Sequence, residues 1–379
     1  MKVIQFGEVK GNKINPDKLK EARIARGLSL AKLSEKIGVT SQALSQYETG
    51  KCKPNPSVFL KIVEELDFPI SFYTDISMYD NEEMVYFRSN KNITKKLKDA
   101  CIARIGWVDR MYNMIDCYLT IPKINIPYSK TKDIEELDLL EIEDIANELR
   151  KKWKLGDGPI SNIVDLLQKN GFVITRLEIG SKKVDAFSVW KNGTPYIFLG
   201  SDKESAVRSR FDLAHELGHL ILHKNLDVED FEENQDKLEK QADMFAISFL
   251  LPRESFNNEI ISSSIDSFIL LKRKWKVSLA AMIRRAQDTE MLTDNQIRYL
   301  KSQMIKYGYY KKEPLDDKIK YEKPYLFKQA FEVMVRNGIM TAEDLLEKIK
   351  LNKDEAISLF SLEEGFFDRD KDNFRLIEI

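Results

Sequence analysis

Phe211-Asp-Leu-Ala-His215-Glu216-Leu-Gly-His219-Leu-Ile-Leu-His223 decides how this chain is read. The stretch is apolar and almost free of breakers, and it predicts a helix over 203–223. All three histidines of the 379 residues fall within its last nine positions. Residues four apart on a helix share a face and lie about 6 Å apart along its axis. His215 and His219 can therefore converge on one metal ion through bonds of about 2 Å. Glu216 sits about 100° round the helix from His215, so its carboxylate can reach a water beside the metal without being a ligand. H-E-x-x-H on a helix is thus the pattern of a zinc hydrolase whose glutamate is the general base. His223 lies eight residues from His215, a rise of about 12 Å, and is excluded from the same ion. It is expected to be a surface or packing residue.

A second long helix is predicted over 235–250, closed by Leu251-Pro252. Within it, Glu239-Lys-Gln-Ala-Asp243 offers one carboxylate as the third metal ligand. Asp243, one turn later, can accept the outer N–H of a ligand histidine. Two histidines and a glutamate leave a coordination position open, as catalytic zinc sites do. Two core histidines bonded to backbone are the competing reading, which leaves the Glu239 pattern unexplained.

Upstream the pattern turns to strand. Phe172–Thr175 is β-rich, and Ala186–Trp190 and Thr194–Leu199 flank Asn192-Gly193, a strong hairpin signal. An edge strand beside the motif helix could hold an extended substrate by strand addition, with 187–190 or 196–199 in that role. Both could equally be plain core sheet. Helices are predicted over 137–153, broken by Gly156-Asp157-Gly158-Pro159, and over 160–169, ended by Asn170-Gly171. The whole reads as α+β, mainly helical.

Asn15-Pro16-Asp17 is a helix start, with a capping residue, a proline at N1 and an acid near the positive helix end. Short helices follow to Phe68. Leu19, Ile24, Leu28, Leu33, Ile37, Val39, Leu44, Phe59, Ile62 and Leu66 supply their apolar set, and 51–56 form a loop. One long helix is predicted over 92–120, ended by Pro122 and Pro127, with a linker to about Asp133. From Glu254 onward the chain reads as polar-faced helices. Leu33–Ser45 is weakly echoed by Leu346–Ser358, but Asp354 and Glu355 stand where a DNA-reading helix wants neutral or basic groups. The echo is read as a degenerate copy used for packing or protein contacts.

Sixty basic and 61 acidic side chains, 43% hydrophobic and 32% charged residues exclude wholesale disorder. No apolar run reaches the 18 or so residues that span a bilayer, and the N-terminus lacks a signal-peptide core. Cys52, Cys101 and Cys117 are odd in number and fit reduced thiols, so a cytoplasmic location without membrane attachment is expected. Residues 1–70 hold 12 Lys/Arg against 8 Asp/Glu, a local +4 in a chain of net charge −1, which suits phosphate contact.

Ala186–Trp190, Arg208–His223 and Glu239–Pro252 resemble the ImmA/IrrE family of bacterial metallopeptidases, and Phe268–Ala286 looks like the segment that follows its active-site helices. The resemblance implies a gluzincin-like fold, Zn2+ held by His215, His219 and Glu239, and Glu216 as general base. Arg210 and Tyr196 are the two possibilities for a group that steadies the transition state. Leu19–Glu65 resembles the Xre or Cro/C1 repressor head. There Thr40, Ser41, Gln42, Ser45, Gln46 and Lys51 would lie on or beside the recognition helix, facing a double-stranded DNA operator. Arg26 and Lys53 are basic neighbours. Leu30 departs from that family, which commonly has a phosphate-touching glutamine there.

The expected domains are a helix-turn-helix head (1–75), a connecting strand, long helix and linker (76–136), a zinc peptidase domain with a small sheet (137–286) and a helical C-terminal region (287–379). The resemblance to fused Xre–ImmA/IrrE proteins implies a DNA-binding regulator with zinc endopeptidase activity. Its substrate would be a helix-turn-helix repressor, or the chain itself, in control of mobile-element or stress genes. A homodimer would match a palindromic operator. The competing function is a repressor whose metal domain senses without turnover. An adaptor without metal requires the histidine cluster to be accidental.

Overall fold

The structure, a computed structural model, describes residues 14–75, 94–127, 137–177, 186–200, 205–226 and 228–368. The strand expected within 76–93 and the linker beyond 127 fall outside these. The chain divides into two compact units. One comprises, among the described residues, 14–75, 94–120 and 327–368, and the other runs from 121 to 326.

The first unit begins with α1 (Pro16–Ala25), α2 (Leu30–Ile37), α3 (Ser41–Glu48), α4 (Pro56–Leu66), α5 (Ile70–Tyr73) and α6 (Lys95–Tyr118). Each of the first four starts on a polar cap, with Asn15, Ser29, Thr40 and Asn55 each accepting a backbone N–H. Gly38, at φ 73°, ends α2 in the left-handed region where glycine carries no Cβ penalty. Leu19, Leu33, Ile37, Leu44, Ile62 and Leu66 are buried between these helices, while Ile24, Leu28, Val39 and Phe59 are half-buried. The Arg23 guanidinium grips the Glu48 carboxylate at 2.6 and 2.8 Å, locking α3 to α1. The predicted long helix is α6, and buried Trp107 on it donates to buried Glu21 of α1 at 2.6 Å.

The second unit holds α7 (Leu139–Lys152), α8 (Ile163–Lys169), β1 (Val173–Leu177), β2 (Ala186–Lys191), β3 (Thr194–Gly200) and α9 (Ala206–Leu222). It continues with α10 (Val228–Glu233), α11 (Gln235–Leu250), α12 (Arg253–Asn257), α13 (Ile265–Trp275), α14 (Leu279–Asp288) and α15 (Asp294–Lys306). Strand order is β1-β3-β2, with β1 parallel and β2 antiparallel to β3. Asn192 (φ 50°) and Gly193 (φ 77°) make the tight turn of the hairpin. Sheet, α7, α9, α11 and α14 enclose one core that includes Ile142, Leu149, Ile197, Leu213, Leu217, Phe245, Phe249 and Met282. The irregular stretch after α15 is pinned by ion pairs. Fully buried Lys272 lies 2.6 Å from both Glu313 and Asp316, and Glu322 pairs with Arg210 while accepting the Ile163 N–H at 2.8 Å.

The chain then returns to the first unit through α16 (Leu326–Arg336), α17 (Ala342–Ile349) and α18 (Lys353–Leu359). Residues 287–326 thus pack in the second unit and 327–368 in the first, so the region taken as 287–379 is divided between them. The α17–α18 turn reproduces that of α2–α3: Lys350 is left-handed and Asn352 caps the next helix. Of the two acids that argued against DNA reading, Glu355 serves packing instead. Glu355 lies 2.9 Å from Arg26 and 3.6 Å from Arg104, beside an Asn352–Asp67 hydrogen bond of 2.7 Å.

Candidate metal centre and helix-turn-helix surface

α9 carries the H-E-x-x-H motif as one uninterrupted helix, and α11 lies against it. Their approach is close because position 218 has no side chain. A Cβ there would stand 3.1 Å from the Phe245 ring and 3.2 Å from the Ala242 carbonyl. Gly218→Val is therefore expected to push α11 outward and cost about 1–3 kcal/mol through overpacking. It should weaken metal binding with it, as thermal unfolding and a chelator-competition titration would show.

The approach brings Glu239 to the histidines. His215 Nε2 and His219 Nε2 face each other at 3.0 Å, and the Glu239 carboxylate oxygens lie 3.3 Å from the first and 3.4 Å from the second. One ligand atom from each residue falls within 4.8 Å of the other two, a set able to hold a metal ion. Asp243 Oδ1 sits 2.8 Å from His215 Nδ1, so the outer nitrogen can donate to it while Nε2 faces inward. Burial alone would lower the His215 pKa. Its bonds to Asp243 and Glu239 and the nearby Glu216 charge outweigh that and hold it up at about 10 in the metal-free site. Burial pushes the Glu239 carboxyl up, yet hydrogen bonds from both histidines overcome it and hold it down at about 2.

Glu216 is 2% exposed, against the sheet. Its pKa is pushed up to about 7 by burial, opposed by the His215 charge and a hydrogen bond from Ser188. The Ser188 hydroxyl donates to Glu216 Oε2 at 2.6 Å. One pleat along β2, the Trp190 indole donates to the Leu220 carbonyl at 3.0 Å, so the same strand face runs beside α9. Sequence reading missed Ser188, whose only signal was its place on the predicted strand. Among the described residues β2 is an edge strand, whereas β3 is central. Of the two segments considered for strand addition, 196–199 is therefore internal and 187–190 lies at the edge.

The two possibilities for a transition-state group point elsewhere. Arg210 is buried against Glu322 and the Ile160 carbonyl. Tyr196 pairs with Val189, on the sheet face opposite Ser188. His223 is not at the surface. It is 1% exposed, with Nδ1 3.0 Å from His219 Nδ1 and Nε2 3.0 Å from Gln241 Oε1. A helical step of four from His219 was the signal for it.

In the first unit Thr40, Ser41, Gln42 and Lys51 are exposed, and Ser45 and Gln46 half-buried. Thr40 caps α3, and the Ser41 hydroxyl lies 2.9 Å from that of Ser34, tying α3 to α2. Gln42 is exposed on the first turn of α3.

Residues 19–73 match the helix-turn-helix family, and residues 167–287 match the IrrE N-terminal-like domain family. The chain joins an Xre-type helix-turn-helix domain to an IrrE N-terminal-like domain. The IrrE-like match includes β1 to β3, α9, α11 and the α13–α14 pair. A predicted helix-turn-helix-type transcriptional regulatory protein of Thermoplasma volcanium is 26% identical over 183 residues, 48% of this chain and 49% of the relative. Another from Methanocaldococcus jannaschii is 47% identical over 58 residues, 15% of this chain and 18% of the relative. The matches thus cover about half or less of these relatives. No described helix is long and apolar enough to cross a membrane.

Proposed function

We propose that this chain is a DNA-binding transcriptional regulator with a zinc-dependent endopeptidase site that cuts a helix-turn-helix repressor, or the chain itself. The observation that carries the reading is the convergence of His215 Nε2, His219 Nε2 and Glu239 beside a buried Glu216 carboxylate, next to an edge strand. His215, His219 and Glu239 would hold the zinc, and Asp243 would orient His215. Zinc bound there supplies Lewis acidity to a peptide carbonyl. The edge of β2 would hold the substrate backbone by added strand pairing, setting the scissile bond near α9. Glu216 takes a proton from the attacking water at a carboxylate oxygen and delivers it to the leaving amine nitrogen. Ser188, donating to Oε2, keeps that carboxylate in place.

On the first unit, the exposed face of α3 would enter the major groove. Thr40, Ser41, Ser45 and Gln46 would lie along the groove, Lys51 would meet phosphate, and Gln42 can pair bidentately with adenine. Gln42→Ala is expected to cost about 1–3 kcal/mol at the operator and little on unrelated DNA. Equal losses on both in a gel-shift titration would contradict base reading.

The test of the whole is purified protein analysed for metal and incubated with helix-turn-helix repressors expressed from its own genome. About one zinc per chain and chelator-sensitive cleavage are expected. A chain that takes up no zinc sinks the peptidase reading. One that takes up zinc but cuts neither repressor nor itself favours metal sensing.

A further inference from the structure

We propose that His223 and Gln241 form a buried relay that fixes the tautomer of His219, making them positioning residues for the metal centre. The inference rests on the zinc reading above and deepens it. Its direction is set at the far end, by the Leu137 backbone carbonyl, which can only accept. Gln241 Nε2 donates to that carbonyl at 3.4 Å, which turns Oε1 of the same amide toward His223 Nε2, 3.0 Å away. A carbonyl oxygen only accepts, so a neutral His223 carries its hydrogen on Nε2 and presents a lone pair at Nδ1. That lone pair faces His219 Nδ1 at 3.0 Å. With zinc in place His219 would hold its hydrogen on Nδ1, leaving the Nε2 lone pair for the ion, on the side where His215 Nε2 and Glu239 lie. Hydrogen positions are assigned here from the chain of partners, starting at the Leu137 carbonyl.

The two histidines of the motif are thus oriented by opposite means. His215 has an acid, Asp243, whose side chain is 54% exposed to water. His219 is fully buried, and His223 and Gln241 are 1% and 3% exposed. A carboxylate in that place would bury a second negative charge beside Glu216, at a high desolvation cost. A neutral imidazole and amide polarise the ligand without that cost. The relay also joins α9 and α11 to the residue just before the Asp138 cap of α7, so the packing of three elements sets one lone pair.

The test uses the full chain, stripped of metal. Zinc affinity is measured by competition with a chromophoric chelator, and the ligand field by visible absorption after cobalt(II) loading. His223→Leu removes the acceptor and is expected to weaken zinc by about 10- to 100-fold and shift the cobalt bands. His223→Gln keeps a carbonyl in reach of His219 Nδ1 and should restore most of the affinity. Gln241→Met, which removes the carbonyl that faces His223 Nε2, should weaken zinc by a smaller factor. If the wild type binds zinc and His223→Leu binds it equally, with unchanged cobalt bands, the relay is overturned and His223 only packs. Should His223→Leu fail to fold, wild-type affinity and spectrum in Gln241→Met overturn it instead. A wild type that binds no zinc overturns the underlying reading, a separate result.

Discussion

Glu216→Gln is expected to take up zinc as the wild type does and to cut its protein substrate about 10²- to 10⁴-fold more slowly. The amide has the shape of the carboxylate, and its Oε1 can still accept the Ser188 hydroxyl that lies 2.6 Å from Glu216 Oε2. What is lost is the ability to accept a proton and hand it on. The same variant carries a pH signature in metal-free protein. Burial raises the Glu216 carboxyl to about 7, above its unfolded value, so ionising it works against folding. That penalty is absent below the unfolded value, grows from about pH 4.5 to about pH 7 and stays constant above it. Metal-free Glu216→Gln should therefore gain thermal stability relative to wild type across that window. A flat difference across the window would mean that the carboxylate is well solvated. Cleavage by the variant at the wild-type rate would remove Glu216 from the proton path.

Glu143→Ala is expected to destabilise the IrrE-like unit by about 3–5 kcal/mol, the cost of leaving a buried charge unpaired. Glu143 on α7 lies 2.5 Å from Arg285 of α14 and 2.9 Å from Arg253 of α12. Arg285 is 1% exposed and also donates to the Leu251 carbonyl at the end of α11. One carboxylate thus binds three helices and the end of a fourth. Burial would raise its pKa, but hydrogen bonds from Arg253 and Arg285 and their charges outweigh burial and lower it. A folded value below the unfolded one gives stability that is complete above the unfolded carboxylate range. It is lost as pH falls through the folded value. Urea unfolding should therefore show a large gap between wild type and Glu143→Gln at pH 7 that narrows steadily in acid. A gap independent of pH would mean that the residue acts by shape alone.

Several features were legible because they are local. The 3.6-residue period brought His215 and His219 to one face, Asn192-Gly193 announced its hairpin, and Asn15 announced the first helix. Glu239 was legible as a pattern, but its distance from the histidines depends on Gly218 admitting α11. His223 proved to be buried, the packing half of its reading, since helical rise says nothing of what lies behind His219. Ser188 looked like any strand residue until register placed it beside Glu216.

The sequence by itself determined the donor types, their spacing along α9, the place of Glu216 beside His215, and the capped start of the first helix. These follow from periodicity and side-chain chemistry within a dozen residues. Only the tertiary structure decided that α11 closes on α9, that β2 rather than β3 is the edge strand, that Gln241 turns toward His223, and that residues 327–368 fold with the head. The reason is physical. Contacts between residues far apart in the chain are selected by the packing of whole surfaces, and an apolar or polar face in sequence does not say which other face will cover it.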